Sequence, residues 1–181
     1  KVTEGINEQI DATFERARIS LNLFARNYSH LMWRYLEHPY YSYRLFVVTS
    51  SIGPHSALVA LREETSVAGL RLLHVIDCFG DDAAIPSALN FIDDYCREHQ
   101  FHAADFFCTA SYVNRHFVAS GWFSTVDDGC LQFPHLFHPV EVRNPPTTSL
   151  IYWSRDHFAS LCDFSRLYVT KQDADLDRPI L

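Results

Sequence analysis

Three short apolar runs, separated by brief polar connections, constrain the fold of this chain more than any other feature. The runs cover residues 44–49, 57–62 and 70–78, and all three are rich in Val, Ile and Leu. The connections contain Gly, Pro, Ser and Glu and are short enough for strands that follow one another directly. The pattern therefore predicts three successive strands in an antiparallel meander.

Helical periodicity precedes and follows this meander. Apolar residues recur at steps of three and four, which predicts one amphipathic helix over residues 5–26. Ser29 is expected to cap a second short helix that ends at His38-Pro39. After the third strand, residues 83–99 have the clearest helical apolar face, and Asp81 or Asp82 is expected to begin that helix.

The remaining elements alternate between strand and helix. The pattern predicts a strand at residues 104–109, a helix at 111–120, and further strands at 131–137 and 150–153. Antiparallel strands followed by strand–helix units predict an α/β or α+β domain with a mixed sheet and helices on both faces. The chain is expected to form one domain over residues 1–181, with residues 70–78 as the middle strand.

Composition excludes several classes of function. With 15 basic and 22 acidic residues, the net charge is −7, which argues against a nucleic-acid partner. No apolar run is long enough for a membrane span, and the polar N-terminus does not resemble a signal peptide. Five widely spaced cysteines without a C-x-x-C pair predict buried thiols in a reducing, cytoplasmic compartment. The chain opens on Lys1 and its single methionine is Met32, as in a fragment of a longer protein.

Metal binding is not predicted, although the chain has ten histidines. The pairs His99/His102 and His135/His138 are spaced three apart, but no Cys or acidic ligand stands at a matching offset nearby. The acidic residues near the C-terminus resemble the start of a calcium loop, yet Arg178 occupies the position that requires Gly.

Three segments carry a resemblance to a known family. They are SYVNRHFVASGWF at 111–123, LMWRYLEHPYYSY at 31–43 and YVTKQDADLDRP at 168–179. Together with the element order, they are similar to the GNAT acyltransferase superfamily, and in particular to the GNAT-like proteins of bacterial surface-polysaccharide clusters. The resemblance implies transfer of an acyl group from acetyl-CoA or another acyl-CoA to an amine on a small amino-sugar substrate. It also implies an upstream GNAT-like domain as a partner of this one.

The resemblance places the acyl-CoA cofactor at the end of the middle strand, where the sequence is CFGDDAA at 78–84. Backbone N–H groups near Ile76 and Cys78 would hold the thioester carbonyl, and Gly80 would leave room for the pyrophosphate. Asp81 and Asp82 place negative charge at this point, and capping of the following helix is the favoured interpretation of both. Phe117 stands where many relatives have a Tyr that protonates the leaving thiolate.

Two residues of the middle strand are candidates for catalysis. Asp77 or His74 could take the proton of the acceptor ammonium, although a lone His on an apolar strand is commonly a hydrogen-bonded core residue. Their odd spacing predicts opposite faces of the strand, so that only one would face the cleft.

The acceptor site is expected where two polar segments meet. Trp33 and Arg34 belong to one segment, and a strand that ends at Thr170 would deliver the other, with Asp173, Asp175, Asp177 and Arg178. The alternatives are an aromatic core seam around Trp33 and a solvated C-terminal turn.

These observations support two hypotheses of function. The first is an acyl-CoA-dependent N-acyltransferase of surface polysaccharide biosynthesis. The second is a cofactor-free GNAT-like domain that serves as a substrate-binding or scaffolding half beside a catalytic domain.

Overall fold

A four-stranded mixed sheet is the centre of the computed structural model, which describes residues 5–66, 68–124 and 154–174. In chain order its elements are α1 (Ile6–Ser20), β1 (Asn22–Leu23), α2 (Tyr28–Leu31), β2 (Arg44–Thr49), β3 (Ser56–Thr65), β4 (Arg71–Gly80), α3 (Ile85–Glu98), β5 (Ala103–Phe106), α4 (Ser111–Ala119), α5 (Phe158–Leu161) and β6 (Leu167–Tyr168). A π-helical turn (Met32–Leu36) continues α2, and single 3₁₀ turns lie at Asp82–Ala84 and Lys171–Ala174.

The strand order in this sheet is β2-β3-β4-β5. The first three strands pair antiparallel, and β5 joins β4 in parallel, with α3 as the connection between them. The predicted meander and mixed sheet are therefore confirmed. A separate two-stranded parallel sheet joins β1 to β6.

The middle of the large sheet is buried on both faces. Burial is unbroken over the first part of β3 and the second part of β4, where a half-exposed strand would alternate. Helices α1 and α3 both pack against these two strands. The apolar residues predicted for the face of α3, from Ile85 to Ile92, belong to this core.

Two helix predictions differ from the structure in their boundaries. Helix α1 ends at Ser20 because Leu21 is extended and the Asn22 N–H donates to the carbonyl of Arg166 (2.8 Å), which starts the pairing with β6. The next helix begins two residues earlier than predicted, since Asn27, and not Ser29, caps it by accepting from the His30 N–H (3.0 Å). The helices predicted at 83–99 and 111–120 are confirmed as α3 and α4.

Several further predictions concern burial and extent. Cys78 is buried as expected, but Cys162 is exposed, so the prediction of buried thiols is wrong for Cys162. The predicted strands at 131–137 and 150–153 lie outside the described residues, as do Cys130, His135 and His138. Within the described ranges, no helix combines the length and apolar character needed to cross a bilayer.

Candidate functional site

A β-bulge in β4 brings His74 and Asp77 to the same face of the sheet. Asp77 pairs with Ala60 and His74 pairs with Arg62, so that Ile76 is the extra residue of the bulge. Residues 60 and 62 share a face of β3, and paired residues of adjacent strands share a face too. The prediction of opposite faces is therefore wrong, because a bulge adds one residue to the alternation.

The C-terminal segment, residues 167–174, covers this face and contributes to a buried group of side chains. We call this group the polar cluster. Its members are Arg26, Tyr35, Asp77, Tyr168, Gln172 and Asp173.

Arg26 is the centre of the polar cluster and is fully buried. Its Nε donates to Asp77 Oδ2 (2.8 Å), and its Nη2 donates to Asp173 Oδ2 (2.6 Å). The guanidinium also lies 5.0 Å from the centre of the Tyr168 ring. Two carboxylates and an aromatic face thus compensate the cost of removing one positive charge from water.

The Tyr168 hydroxyl hydrogen-bonds to the backbone of β4 just beyond the point where β5 stops pairing. The pairing of β4 with β5 ends at Val75 and Phe106, whereas β4 continues to Gly80. At Cys78 the N–H donates to the Tyr168 hydroxyl (2.9 Å), which lies equally close to the Cys78 carbonyl. The hydroxyl is also 2.6 Å from Asp77 Oδ1. A side chain therefore takes the hydrogen-bonding place that a neighbouring strand or a ligand would use.

Gln172 joins the C-terminal segment to the helix that carries Trp33. The Tyr35 hydroxyl donates to Gln172 Oε1 (2.5 Å), and Gln172 Nε2 lies 3.1 Å from His30 Nε2. Arg34 Nη2 donates to the Gln172 carbonyl (3.5 Å). The predicted meeting of the two polar segments is confirmed for the part of the C-terminal segment that the structure describes.

Trp33 itself is 64% exposed and leans on the His30 ring, with 5.6 Å between the ring centres. By contrast Tyr35 and Tyr43 are buried and pack against each other at 5.1 Å. The aromatic residues of this region therefore divide into a core seam and an exposed indole.

A second polar group runs across three strands beside the polar cluster. We call it the charged row: Arg62, Glu64, His74, Asp105 and Lys171. His74 Nδ1 lies 2.6 Å from Asp105 Oδ1, and its Nε2 lies 3.3 Å from Glu64 Oε2 without a well-aligned hydrogen bond. Lys171 Nζ donates to Asp105 Oδ2 from the C-terminal segment.

The environment sets the protonation of these groups. Burial raises the pKa of Asp77, although Arg26 acts in the opposite sense. Burial alone would lower the pKa of His74, but the carboxylates of Asp105 and Glu64 outweigh it and raise that pKa. For Asp105, Lys171 and His74 outweigh burial and hold the pKa well below its usual range.

This arrangement leaves Asp77 and His74 poorly placed to accept a proton from a ligand. Asp77 has no exposed surface, and both its oxygens contact partners within the polar cluster. Both ring nitrogens of His74 face carboxylates, which favours the imidazolium form that has no free lone pair. Their assignment as catalytic residues stays a prediction.

The residues predicted to bind the cofactor lie in a tightly packed part of β4. Ile76 and Cys78 are fully buried. Gly80 is required by close packing, because a Cβ there would lie 2.4 Å from the Ser56 carbonyl oxygen. The position suits glycine for its contact with β3, and its assignment to a cofactor stays a prediction.

The two aspartates that follow Gly80 do not cap α3, so the capping interpretation is wrong. Asp81 accepts from Arg16 Nε (2.9 Å) and from the Ser56 N–H (2.9 Å). Asp82 Oδ1 lies 2.7 Å from both Arg115 Nη2 and His116 Nε2. The nearby cations from α1 and α4 attract these carboxylates away from the helix terminus, which has no side-chain cap.

Phe117 stacks on Phe106 at 4.4 Å between ring centres and is buried. It therefore has a packing role on α4.

The predicted acceptor residues have different surroundings. Asp173 is buried by its contact with Arg26, while Trp33 is accessible. Arg34 is buried beside Gln172, and Asp175, Asp177 and Arg178 lie outside the described residues.

Arg26, Lys171 and Gln172 were not singled out from the sequence as members of one site. A charged residue beside apolar ones was the available signal: Arg26 follows Phe24 and Ala25, and Lys171 directly follows the run LYVT at 167–170. Neither pattern identifies a partner that is distant in sequence. In the residues that the structure describes, no group of His, Cys, Asp and Glu side chains could hold a metal ion.

Comparison with known proteins adds no relative to this geometry. No family model, no curated protein and no solved structure matches the chain. The assignment of function therefore depends on the residues of the site themselves.

Proposed function

We propose that this chain is a cofactor-free GNAT-like domain that binds an amino sugar and acts beside a catalytic domain. The fold class and the order of β2 to β5 with α3 and α4 are compatible with the GNAT resemblance. The GNAT-like fold itself is part of this proposal.

The observation that carries the proposal is the position of the Tyr168 hydroxyl. An acyl-CoA that used the β4 backbone near Cys78 would have to displace this hydroxyl from its contacts with Cys78 and Asp77. Leaving a buried polar group without a partner costs about 1–3 kcal/mol. Because about 1.4 kcal/mol corresponds to a tenfold change in affinity, such a displacement would weaken cofactor binding substantially.

The state of the candidate proton acceptors supports the same proposal. An acyltransferase must deprotonate the acceptor ammonium before the amine attacks the thioester. Asp77 is enclosed by Arg26 and Tyr168, and His74 lies between two carboxylates. Neither group offers a free basic site unless the C-terminal segment moves.

The sugar-binding part of the proposal depends on Trp33. An exposed indole offers a flat apolar surface, and polar side chains at its edge can hydrogen-bond to hydroxyl or amino groups. His30, which contacts Trp33, and Gln172, which contacts His30, supply such groups. The choice of an amino sugar follows the resemblance to polysaccharide-cluster proteins.

The second candidate function is the acyl-CoA-dependent N-acyltransferase, and one observation favours it. Helix α3 begins after Gly80 without a side-chain cap, and the two neighbouring aspartates are paired with cations. An uncapped helix N-terminus retains N–H groups that can bind a phosphate.

Calorimetric titration with acetyl-CoA distinguishes the two candidates. The proposed function predicts no binding heat at millimolar acetyl-CoA, because Tyr168 occupies the strand backbone. Micromolar binding would contradict the cofactor-free proposal and favour the acyltransferase.

NMR titration with glucosamine tests the sugar-binding part separately. We expect the Trp33 indole N–H resonance, assigned by its loss in Trp33→Phe, to shift saturably. The matched control for that assignment is Tyr40→Phe, which changes another exposed aromatic residue. Because Tyr40 lies beyond the helix, this variant should keep the Trp33 indole N–H resonance. An unshifted Trp33 resonance would exclude sugar binding at this surface and leave the acetyl-CoA result unaffected.

A further inference from the structure

A small cavity between α1 and the turn that joins β2 to β3 lies apart from the polar cluster. Its volume is about 230 Å³, and its apolar lining residues include Ala12, Val47 and Pro54. Arg16 and His55 also line it, with side chains 36% and 42% exposed. A guanidinium, an imidazole and apolar side chains thus meet in one concave surface.

The guanidinium of Arg16 is held in a fixed orientation. Its Nε donates to both carboxylate oxygens of Asp81 (3.1 and 2.9 Å), and its Nη2 donates to Ser56 Oγ (2.6 Å). One edge of the planar guanidinium is therefore occupied. Among the described residues, none accepts a hydrogen bond from Nη1, which leaves the outer end of the guanidinium available.

A chain of hydroxyl groups fixes Ser56 in turn. Thr13 donates its only hydroxyl proton to the Gln9 carbonyl (2.7 Å). The contact of 2.5 Å between the Thr13 and Ser56 hydroxyls then requires Ser56 to be the donor. Ser56 Oγ consequently keeps its lone pairs for Arg16, so the orientation of the guanidinium is set by the core of α1.

The carboxylate of Asp81, beneath the cavity, already has partners that balance its negative charge. Asp81 accepts from Arg16 and from the Ser56 N–H, and the His55 ring lies 3.8 Å from Asp81 Oδ2. An incoming anion would meet the outer end of Arg16 and the imidazole of His55 before it met this carboxylate. Planar, bidentate donors such as this guanidinium end suit carboxylate and phosphate oxygens.

We propose that this cavity binds the carboxylate or phosphate group of a small molecule, with Arg16 and His55 as its donors. The volume is below the range of about 300–1,000 Å³ typical for pockets of drug-sized ligands, which limits the ligand to a compact molecule or to one end of a larger one. This site is independent of the proposed sugar-binding surface.

The test is an NMR titration of the full chain with sodium phosphate and, separately, sodium acetate, at constant pH and ionic strength. The amide resonances of Gly53 and Ser56 report on the cavity. We expect saturable shifts with at least one anion, and the anion that binds distinguishes phosphate from carboxylate recognition. Shifts that fail to saturate with both anions would overturn the proposal.

The decisive variant is Arg16→Lys, which keeps a positive charge for Asp81 but removes the outer guanidinium end. We expect the affinity to fall by about tenfold or more, corresponding to about 1.4 kcal/mol. Arg18→Lys is the matched control on the same helix, because Arg18 pairs with Glu15 on the exposed side. Equal affinity of Arg16→Lys and the original chain, or an equal loss in Arg18→Lys, would overturn the proposal.

A second variant keeps the test decisive if Arg16→Lys fails to fold. His55→Ala removes a partly exposed ring and one of the two donors. Weaker anion binding by this variant supports the site, and unchanged binding overturns it.

Discussion

Tyr168 shows how one hydroxyl can replace a strand at the edge of a sheet. It contacts the backbone of Cys78 through both its N–H and its carbonyl, and it contacts the carboxylate of Asp77. Burial raises the pKa of Tyr168 well above its usual value, so the hydroxyl stays protonated and retains its ability to donate.

Tyr168→Phe should lower the free energy of unfolding by about 1–3 kcal/mol, because it leaves the Cys78 N–H without its partner. Urea denaturation measures the change. Tyr95→Phe is the control, since the Tyr95 hydroxyl bonds the more accessible carboxylate of Glu63 (2.8 Å) and its loss should cost less. An equal or smaller loss for Tyr168→Phe would show that its hydroxyl has no special role in completing the sheet.

At the scale of the element, the C-terminal segment is anchored by ion pairs at two points. Asp173 contacts Arg26, and Lys171 contacts Asp105 on β5. Asp173 Oδ2 also accepts from the Thr170 N–H (2.9 Å), which fixes the turn that follows β6. The segment is therefore part of the folded core.

Asp173→Ala should destabilise the protein by about 1–3 kcal/mol, because it removes the carboxylate oxygen that accepts from Arg26 Nη2 and from the Thr170 N–H, while Arg26 keeps its ion pair with Asp77. Asp94→Ala is the control: this exposed carboxylate pairs with Arg97, and its loss should cost less than about 1 kcal/mol. Thermal and urea unfolding of both variants provide the comparison. If the two variants lose similar stability, the anchoring role of Asp173 is wrong.

The elements themselves were largely predictable, because apolar runs and helical periodicity are local properties of the sequence. The bulge at Ile76 was not, since the surrounding strand is apolar without alternation and gives no sign of an extra residue. The end of α1 at Ser20 also depends on a distant event, namely the pairing of Asn22 with Leu167. The same limit applies to the site: Arg26 is 51 positions from Asp77, and only tertiary structure reveals that they meet.

At the scale of the whole molecule, the charged row connects three strands to the C-terminal segment and should make stability depend on pH. The raised pKa of His74 stabilises the fold at pH values below its unfolded pKa of about 6.5, and this contribution disappears as pH rises through the folded pKa. The lowered pKa of Asp105 stabilises the fold above its unfolded value of about 3.9 and is lost as pH falls.

We therefore expect a maximum in the stability contribution of the charged row between about pH 4 and 6.5. Urea unfolding across pH measures it. His74→Gln should remove the decline on the alkaline side, and Asp105→Asn should remove the decline on the acid side. If the stability of His74→Gln still declines to the same extent on the alkaline side, His74 does not carry a raised pKa in the folded protein.

The contact between Tyr168 and Asp77 also has a consequence for biosynthesis. These residues are 91 positions apart, so β4 is made long before the side chain that completes it. A chain is synthesised from its N-terminus, and closing a long loop costs entropy. Arg26 and Asp77 are therefore present in the nascent chain before Tyr168 and Asp173 can contact them. The emerging protein thus passes through a stage in which the Cys78 N–H lacks its hydrogen-bond partner and the edge of β4 is open, the kind of surface that chaperones bind. Completion of this domain is therefore a late event in its synthesis.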